Sequence, residues 1–193
     1  EASAAVTQVQ VGSYVQDDVR ITPRLTLSGG LRQEWQHGIG GVNIGPRGGL
    51  AWSPFRSGRT TVRAGAGIFF DWFEAADRLR AEQLDGRHQQ VDTVLLPPYP
   101  DGSSVGGSRL TNGRVVIGQL AQPTLKEVSA GIEQTAGWAR LSLMAFHRRG
   151  SQELRGVDIN APSGGVRPSP SAGPVTDIRS TARSGVDGVS LNL

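Results

Sequence analysis

Residues 13–35 read SYVQDDVRITPRLTLSGGLRQEW. Successive side chains of a strand point to opposite faces. Leu25, Leu27 and Leu31 therefore fall on one side, and Thr26, Ser28, Arg32 and Glu34 on the other, which predicts two strands folded about a TPR turn. Two structures satisfy that alternation. In a water-soluble sandwich the leucines form the core, whereas in a membrane barrel they meet lipid and the charges meet a wet lumen.

The alternation recurs on both sides of this stretch. Residues 9–18 set Val9, Val11 and Val15 against Gln8, Gln10, Tyr14, Gln16 and Asp18. A shorter segment, PRGGLAWSP, sets Leu50 and Trp52 against Arg47, Gly49, Ala51 and Ser53. In TTVRAGAGIFFD the residues Val62, Ala64, Ala66, Ile68 and Phe70 oppose Arg63, Gly65, Gly67, Phe69 and Asp71. LKEVSAGIEQ sets Val128, Ala130 and Ile132 against Glu127, Ser129, Gly131 and Glu133. WARLSLMAFHRR sets Ala139, Leu141, Leu143 and Ala145 against Arg140, Ser142 and Arg148, but Met144 and Phe146 interrupt the pattern and leave its facing open. VDGVSLNL runs Val189, Leu191 and Leu193 to the last residue.

The totals narrow the class. The chain has 193 residues, 27 glycines, 11 prolines and 37% hydrophobic residues, with a mean hydropathy of -0.27. That composition suits a turn-rich β protein, and no apolar run approaches the roughly 18 residues of a membrane-spanning helix. A β-barrel remains open, because only alternate residues of its strands need be apolar. Lys126 is the single lysine and the formal charge is +3. The arginines are scattered without a basic stripe, which argues against nucleic acid as a partner. The lack of cysteine removes disulfide scaffolds, thiolate metal sites and thiol nucleophiles.

The connections alternate short and long: TPR, then HGIGGVNIG, PFRSGR, residues 72 to about 123, TAG, and residues 149–179. Transmembrane barrels show this rhythm, with tight turns at one end and large loops at the other. Within the first long loop, Phe73, Ala76 and Leu79 predict a short surface helix ending at Gly86, and Asn112-Gly113 predicts a tight hairpin. Trp35, Trp52, Phe70 and Trp138 lie near strand ends, as interfacial aromatics do. Glu1 opens the chain without an initiating Met or a signal-peptide pattern, so the sequence is read as a mature N-terminus or an internal cut.

Candidate chemistry is sparse. The glycines around Gly65 and in GIGGVNIG do not complete a dinucleotide fingerprint, since Phe70 and Asn43 stand at the third glycine's place. Asp17 and Asp18 are strand neighbours that face opposite ways. His37, His88 and His147 lack ligand spacing, and Asn160 is followed by Ala161-Pro162-Ser163 rather than by a glycosylation sequon. No catalytic, metal or cofactor site is expected.

The VQDD strand, the TPRLTL turn, GPRGGLAWSP and TTVRAGAGIFFD, in this order, resemble the barrel of TonB-dependent outer-membrane receptors of the type with an N-terminal carboxypeptidase-regulatory-like domain. QPTLKEVSAGIEQ, RRGSQELRGVDINAP and RSTARSGVDGVSLNL resemble its next segments, while Val19, Ala66 and Val186 stand where that family often has an aromatic. The resemblance implies an all-β fold: an antiparallel transmembrane β-barrel fragment, about seven strands of a 22-stranded barrel with a plugged lumen. Residues 1–193 would be a partial barrel domain from the middle of the wall, without plug or TonB box. Arg32, Glu34, Arg63, Asp71, Glu127 and Glu133 would face the lumen, and Trp72, Arg78, Tyr99 and Arg109 would lie in extracellular loops that capture ligand. Outer-membrane lipid, the TonB complex (through the plug) and a scarce ligand would be the partners. The motifs leave siderophore, glycan, peptide and cobalamin open. Two other readings stand beside this one: a complete small barrel of about eight strands serving as adhesin or anchor, and a soluble β-sandwich such as a carbohydrate-binding module or glycosidase.

Overall fold

The computed structural model describes residues 5–84, 91–95, 108–112, 114–170 and 172–193. In chain order the elements are β1 (Gln10–Thr22), β2 (Leu25–Gln36), β3 (Asn43–Trp52), β4 (Thr60–Phe70), α1 (Ala75–Gln83), β5 (Val91–Leu95), β6 (Ser108–Asn112), β7 (Arg114–Ile117), β8 (Thr124–Ala136), β9 (Ala139–Asp158) and β10 (Val175–Asn192). One sheet takes the order β1-β2-β3-β4-β8-β9-β10-β7, and β5 pairs with β6 separately. From β1 to β9 each neighbour is antiparallel, and β7 joins the edge of β10 in parallel. Apart from that edge piece the sheet has the expected seven strands, and it is open: β1 and β7 are its two ends.

The chain divides into two compact units. One comprises residues 9–72, 121–153 and 180–193 and carries most of the sheet; the other comprises residues 1–8, 73–120 and 154–179.

The first unit answers the question posed by the leucines. Glu34 is only 2% exposed although ionisable, whereas Leu31, three residues earlier on the opposite face, is 50% exposed. The same inversion runs along β2, where Leu27 is exposed and Ser28, Gly30 and Arg32 are half-buried. A water-soluble sheet buries its apolar face. Here the polar side chains crowd on the inner side and the leucines stand outward. Among the described residues the buried hydrophobic ones are Ile39, Phe73, Ala81 and Leu120, and none of these belongs to a strand of the sheet. That arrangement removes the ground for a sandwich core.

Local chemistry explains the turns. Thr22 Oγ1 accepts from the Arg24 N–H at 3.2 Å, and Arg24 Nη1 donates to the Pro54 carbonyl at 3.1 Å, tying two short connections together at one end of the sheet. The two-residue turn between β8 and β9 contains Gly137 at φ +59°, a left-handed conformation that glycine adopts without strain. Inside β3, Gly45 lies against β4 so closely that a Cβ would come 2.5 Å from the Ile68 carbonyl oxygen. The β3–β4 ladder begins at Arg47, just past Pro46, which has no N–H to give.

Several sequence expectations need correction. The third strand is not short, and it begins at Asn43 within the expected glycine-rich connection. The expected loop 149–179 shrinks to residues 159–174, because β9 continues to Asp158 and β10 begins at Val175. Both segments lack apolar alternation, since strands beyond an apolar belt have two wet faces; side-chain bonds such as Ser184 Oγ to Glu153 Oε1 and the Val175 N–H to Asp158 Oδ1 supplement the ladder there. The sixth strand's facing is now settled: Gly131 pairs with Met144 and Ser129 with Phe146, so both side chains lie on the polar face, opposite Leu141, Leu143 and Ala145.

In the second unit the helix expected near Phe73 forms as Ala75–Gln83, with Asp77 in its first turn, where the helix dipole favours an acid. Phe73 precedes the helix and is buried. The expected stop at Gly86 lies outside the described residues. So does Gly113 of the Asn112-Gly113 pair, and the strands flanking it do not pair with each other, because β6 pairs with β5 and β7 with β10.

Candidate functional site

The ladders place residues side by side, so the register carries rows of side chains across the polar face. One row runs Gln16, Gly30, Arg47, Gly67, Glu127, Arg148. The next runs Asp18, Ser28, Gly49, Gly65, Ser129, Phe146, and a third runs Arg20, Thr26, Ala51, Arg63, Gly131, Met144. Arginines stand opposite glycines: Arg32 beside Gly45, Arg47 beside Gly30 and Gly67, Arg63 beside Gly131. A glycine leaves the width that a long guanidinium side chain needs to lie across the sheet.

Ion pairs tie part of this face together. Arg148 Nε donates to Glu127 Oε2 at 2.7 Å, Arg140 pairs with Glu133, and Arg32 pairs with Glu34. The Arg148 guanidinium sits 4.5 Å from the centre of the Phe146 ring, and that of Arg47 sits 5.6 Å from Phe69. Arg20, Arg32, Arg47, Arg63, Arg140 and Arg148 outnumber Asp18, Glu34, Glu127 and Glu133, so the face is net positive. It is also hollowed. A recess of about 490 Å³ reaches Asp18, Arg63, Ser129 and Glu133, and another of about 310 Å³ lies over Gln16, Arg47 and Glu127. A small one of about 160 Å³ is lined by Arg32, Glu34, Arg47, Phe69 and Trp72. There Glu34 Oε2 is buried and meets no donor.

Of the residues singled out in the sequence, Arg32, Glu34, Arg63, Glu127 and Glu133 thus share one face. Asp71 is exposed just past β4, where its N–H donates to the Pro123 carbonyl at 3.0 Å. Trp72 stands beside Gly12, with a ring atom 3.6 Å from where a Cβ would be. Arg78 lies on α1. Tyr99 falls outside the described residues, and Arg109 lies in β6 opposite Val94. Trp52, on the apolar face, and Trp138, in the β8–β9 turn, mark the short-turn end of the sheet, while Trp35 and Phe70 lie toward the other end. The rings of Trp35 and His37 meet edge to face at 6.3 Å. The sequence pattern places Asp18, Arg47, Arg140 and Arg148 on polar strand faces but not among the lumen candidates, and Asp18 is weighed there for chemistry only as half of an acid pair with Asp17. Arg140 and Arg148 were signalled by their shared parity with Ser142, a signal obscured by Met144 and Phe146. Among the described residues no group of three or more acids or histidines could hold a metal ion.

A second polar centre lies in the segment 159–174. Asn160 is buried, and its Nδ2 donates to the carbonyls of Ser169, Ala172 and Gly173 at 3.2, 3.1 and 2.8 Å, while its Oδ1 accepts from the Ser169 N–H at 2.8 Å. Asp158 Oδ1 accepts from the N–H groups of Asn160 and Val175 at 2.9 and 3.0 Å, and Arg167 bridges Asp158 Oδ2 and the Asn160 carbonyl. Burial pushes the Asp158 carboxyl up. The hydrogen bonds from Val175, Asn160 and Arg167, with the Arg167 charge, outweigh it and hold the pKa below the ordinary value.

No protein-family model and no curated protein matches the sequence. Solved structures are similar to it. The siderophore receptor PirA from Pseudomonas aeruginosa superposes with a TM-score of 0.62 at 17% identity, over 95% of this chain and 30% of that one. The outer membrane transporter YddB from Escherichia coli gives 0.66 at 13% identity, over 95% and 21%. The FrpB iron transporter from Neisseria meningitidis, F5-1 variant, gives 0.60 at 13% identity, over 95% and 23%. The chain therefore spans between about a fifth and a third of these proteins. Its fold, an open antiparallel sheet, is that of a section of the β-barrel in these solved structures.

Proposed function

We propose that residues 1–193 form part of the barrel wall of a TonB-dependent transporter in the bacterial outer membrane, with the polar face lining the lumen and the leucine face against lipid. The observation that carries this reading is the inversion along β2, with Glu34 buried and Leu31 exposed. On this reading the whole barrel has 22 strands around a plug, and a carboxypeptidase-regulatory-like domain precedes the plug. The TonB complex supplies energy through the plug. Residues 72–123 and 159–174 face the exterior, where Trp72, Arg78, Tyr99 and Arg109 meet the ligand. Trp35, Trp52, Phe70 and Trp138 anchor the wall at the two interfaces.

The excess of arginine on the lumen face favours an anionic cargo, and ferric siderophores are the first class to test, ahead of glycans. Arg47 and Arg63 contribute charge along the path, and the Arg140–Glu133 and Arg148–Glu127 pairs keep the wall wet and ordered. No step here calls for bond-making chemistry.

The test is to express the product of the complete gene in a Gram-negative host with and without TonB. The protein is expected in the outer-membrane fraction, migrating faster on gels before heating than after, and uptake of iron from ferric siderophores should require TonB. A soluble, monomeric, folded product overturns the barrel. A membrane protein whose siderophore uptake is unaltered by loss of TonB overturns the transport mechanism.

A further inference from the structure

The outward face of the sheet changes character toward its long-connection end. Across β4, β8 and β9 the rows read Val62, Ile132, Leu143 and then Ala64, Ala130, Ala145. The next two rows bring His147 beside Val128 and Arg149 beside Lys126. On β10, Leu191 and Val189 give way to Asp187 and then Arg183, four residues apart and hence on one face, and both are exposed. Arg149 Nε donates to His147 Nε2 at 3.1 Å, while His147 Nδ1 meets Asp187 Oδ1. These contacts join Arg149, His147 and Asp187 in one cluster on the outward face. Asp187 then offsets one cation, and Lys126 and Arg183 leave the rim positive.

A lumen ligand does not reach these side chains, because they project from the opposite face to Glu127 and Arg148. A charge against lipid costs about 2–4 kcal/mol at the midplane and about 0–1 near the interface, so their position marks the headgroup level. Directly beneath them Val128, Ala130, Ala145 and Val189 offer an uninterrupted apolar strip.

We propose that Lys126, Arg149 and Arg183 form a binding site for the phosphate-bearing headgroup of a membrane lipid, whose acyl chains lie along that strip. This rests on the barrel reading above. The adjoining strip selects a lipid over free phosphate, since an inorganic ion would gain nothing from it.

The test uses the product of the complete gene purified in detergent, titrated with phosphatidic acid and followed by native mass spectrometry. Lys126→Gln and Arg149→Gln should each weaken retention about fivefold, the effect of one cation near an anionic surface. Arg63→Gln, on the opposite face, should leave retention unchanged, and inorganic phosphate should not displace the lipid. Equal retention by the Lys126 and Arg149 variants overturns the proposal, as does an equal loss from Arg63→Gln or displacement by phosphate alone. Heat-modifiable migration of the same samples separates the two claims. If the barrel is intact and the variants retain lipid, only this site falls; if the protein is soluble without detergent, both fall.

Discussion

Placing arginine at Ala130 tests the assignment of faces with the least structural disturbance. Ala130 is the midpoint of β8, a strand of 13 residues. At about 3.4 Å per residue and a tilt of about 40°, such a strand rises roughly 31 Å, more than the roughly 25 Å apolar band of an outer-membrane barrel. On the proposed barrel, Ala130 therefore falls near the bilayer centre. Its lateral neighbours are Ala64 and Ala145, so a long side chain meets open space rather than packed atoms. Any cost of Ala130→Arg is then a cost of solvation, about 2–4 kcal/mol at the midplane. Taking about 3 kcal/mol, the folded-to-unfolded ratio falls roughly 150-fold. Ser129→Arg changes the adjacent residue on the wet face, beside the recess of about 490 Å³, and should cost no more than an exposed substitution, about 0.5 kcal/mol. Urea titration of the complete protein in phospholipid vesicles, read by heat-modifiable migration, measures both. Equal small effects would mean that the leucine face meets water, and a large effect at Ser129 alone would mean that the faces are exchanged.

Other expectations follow from single contacts. Gly45→Ala should destabilise by about 1–3 kcal/mol, as overpacking does, because the new methyl meets the Ile68 carbonyl; Gly29→Ala, where a Cβ meets nothing within 4 Å, should be neutral or slightly stabilising in the same titration. Asn160→Ala should strand three carbonyls and raise hydrogen exchange across residues 159–174 without moving the urea midpoint of the sheet. Because the Asp158 carboxyl titrates below its ordinary value of 3.8, its contribution is complete above that pH and is lost as the pH falls further, through its lowered folded value. Backbone NMR of the Asn160 and Val175 amides should follow that loss, and Asp158→Asn should abolish the dependence. Expressed alone in water, residues 1–193 should aggregate, because β1 presents an unpaired edge and the outward leucines an unshielded face; a soluble monomer with a sharp unfolding transition would refute this.

Where each face has its own chemistry, the fold was legible. Leu25 to Gln36 alternate cleanly, and the observed β2 has those bounds. The signal fails in two physical situations. In β3, glycines and Pro46 supply too few side chains to show a period, although the backbone pairs throughout with β2. In the outer parts of β9 and β10 both faces are polar, so hydropathy carries no information about the ladder. The candidate site was legible where an acid or arginine interrupts small residues, as at Arg32, Arg63 and Glu127. It was not legible at Arg140 and Arg148, because Met144 and Phe146 place hydrophobic groups on the wet face, the latter beneath the Arg148 guanidinium.

The parallel pairing of β7 with β10 has a bearing on assembly. A strand extending the sheet beyond β10 finds the backbone groups of residues 175–178 already occupied by residues 114–117. Only residues 179–192 remain as a docking track, whereas the far side of β1 is open along its whole length. The two margins of the wall are therefore unlike. An incoming strand that slides too far along β10 runs into β7 and stops, so the segment acts as a doorstop that sets the register of the next strand.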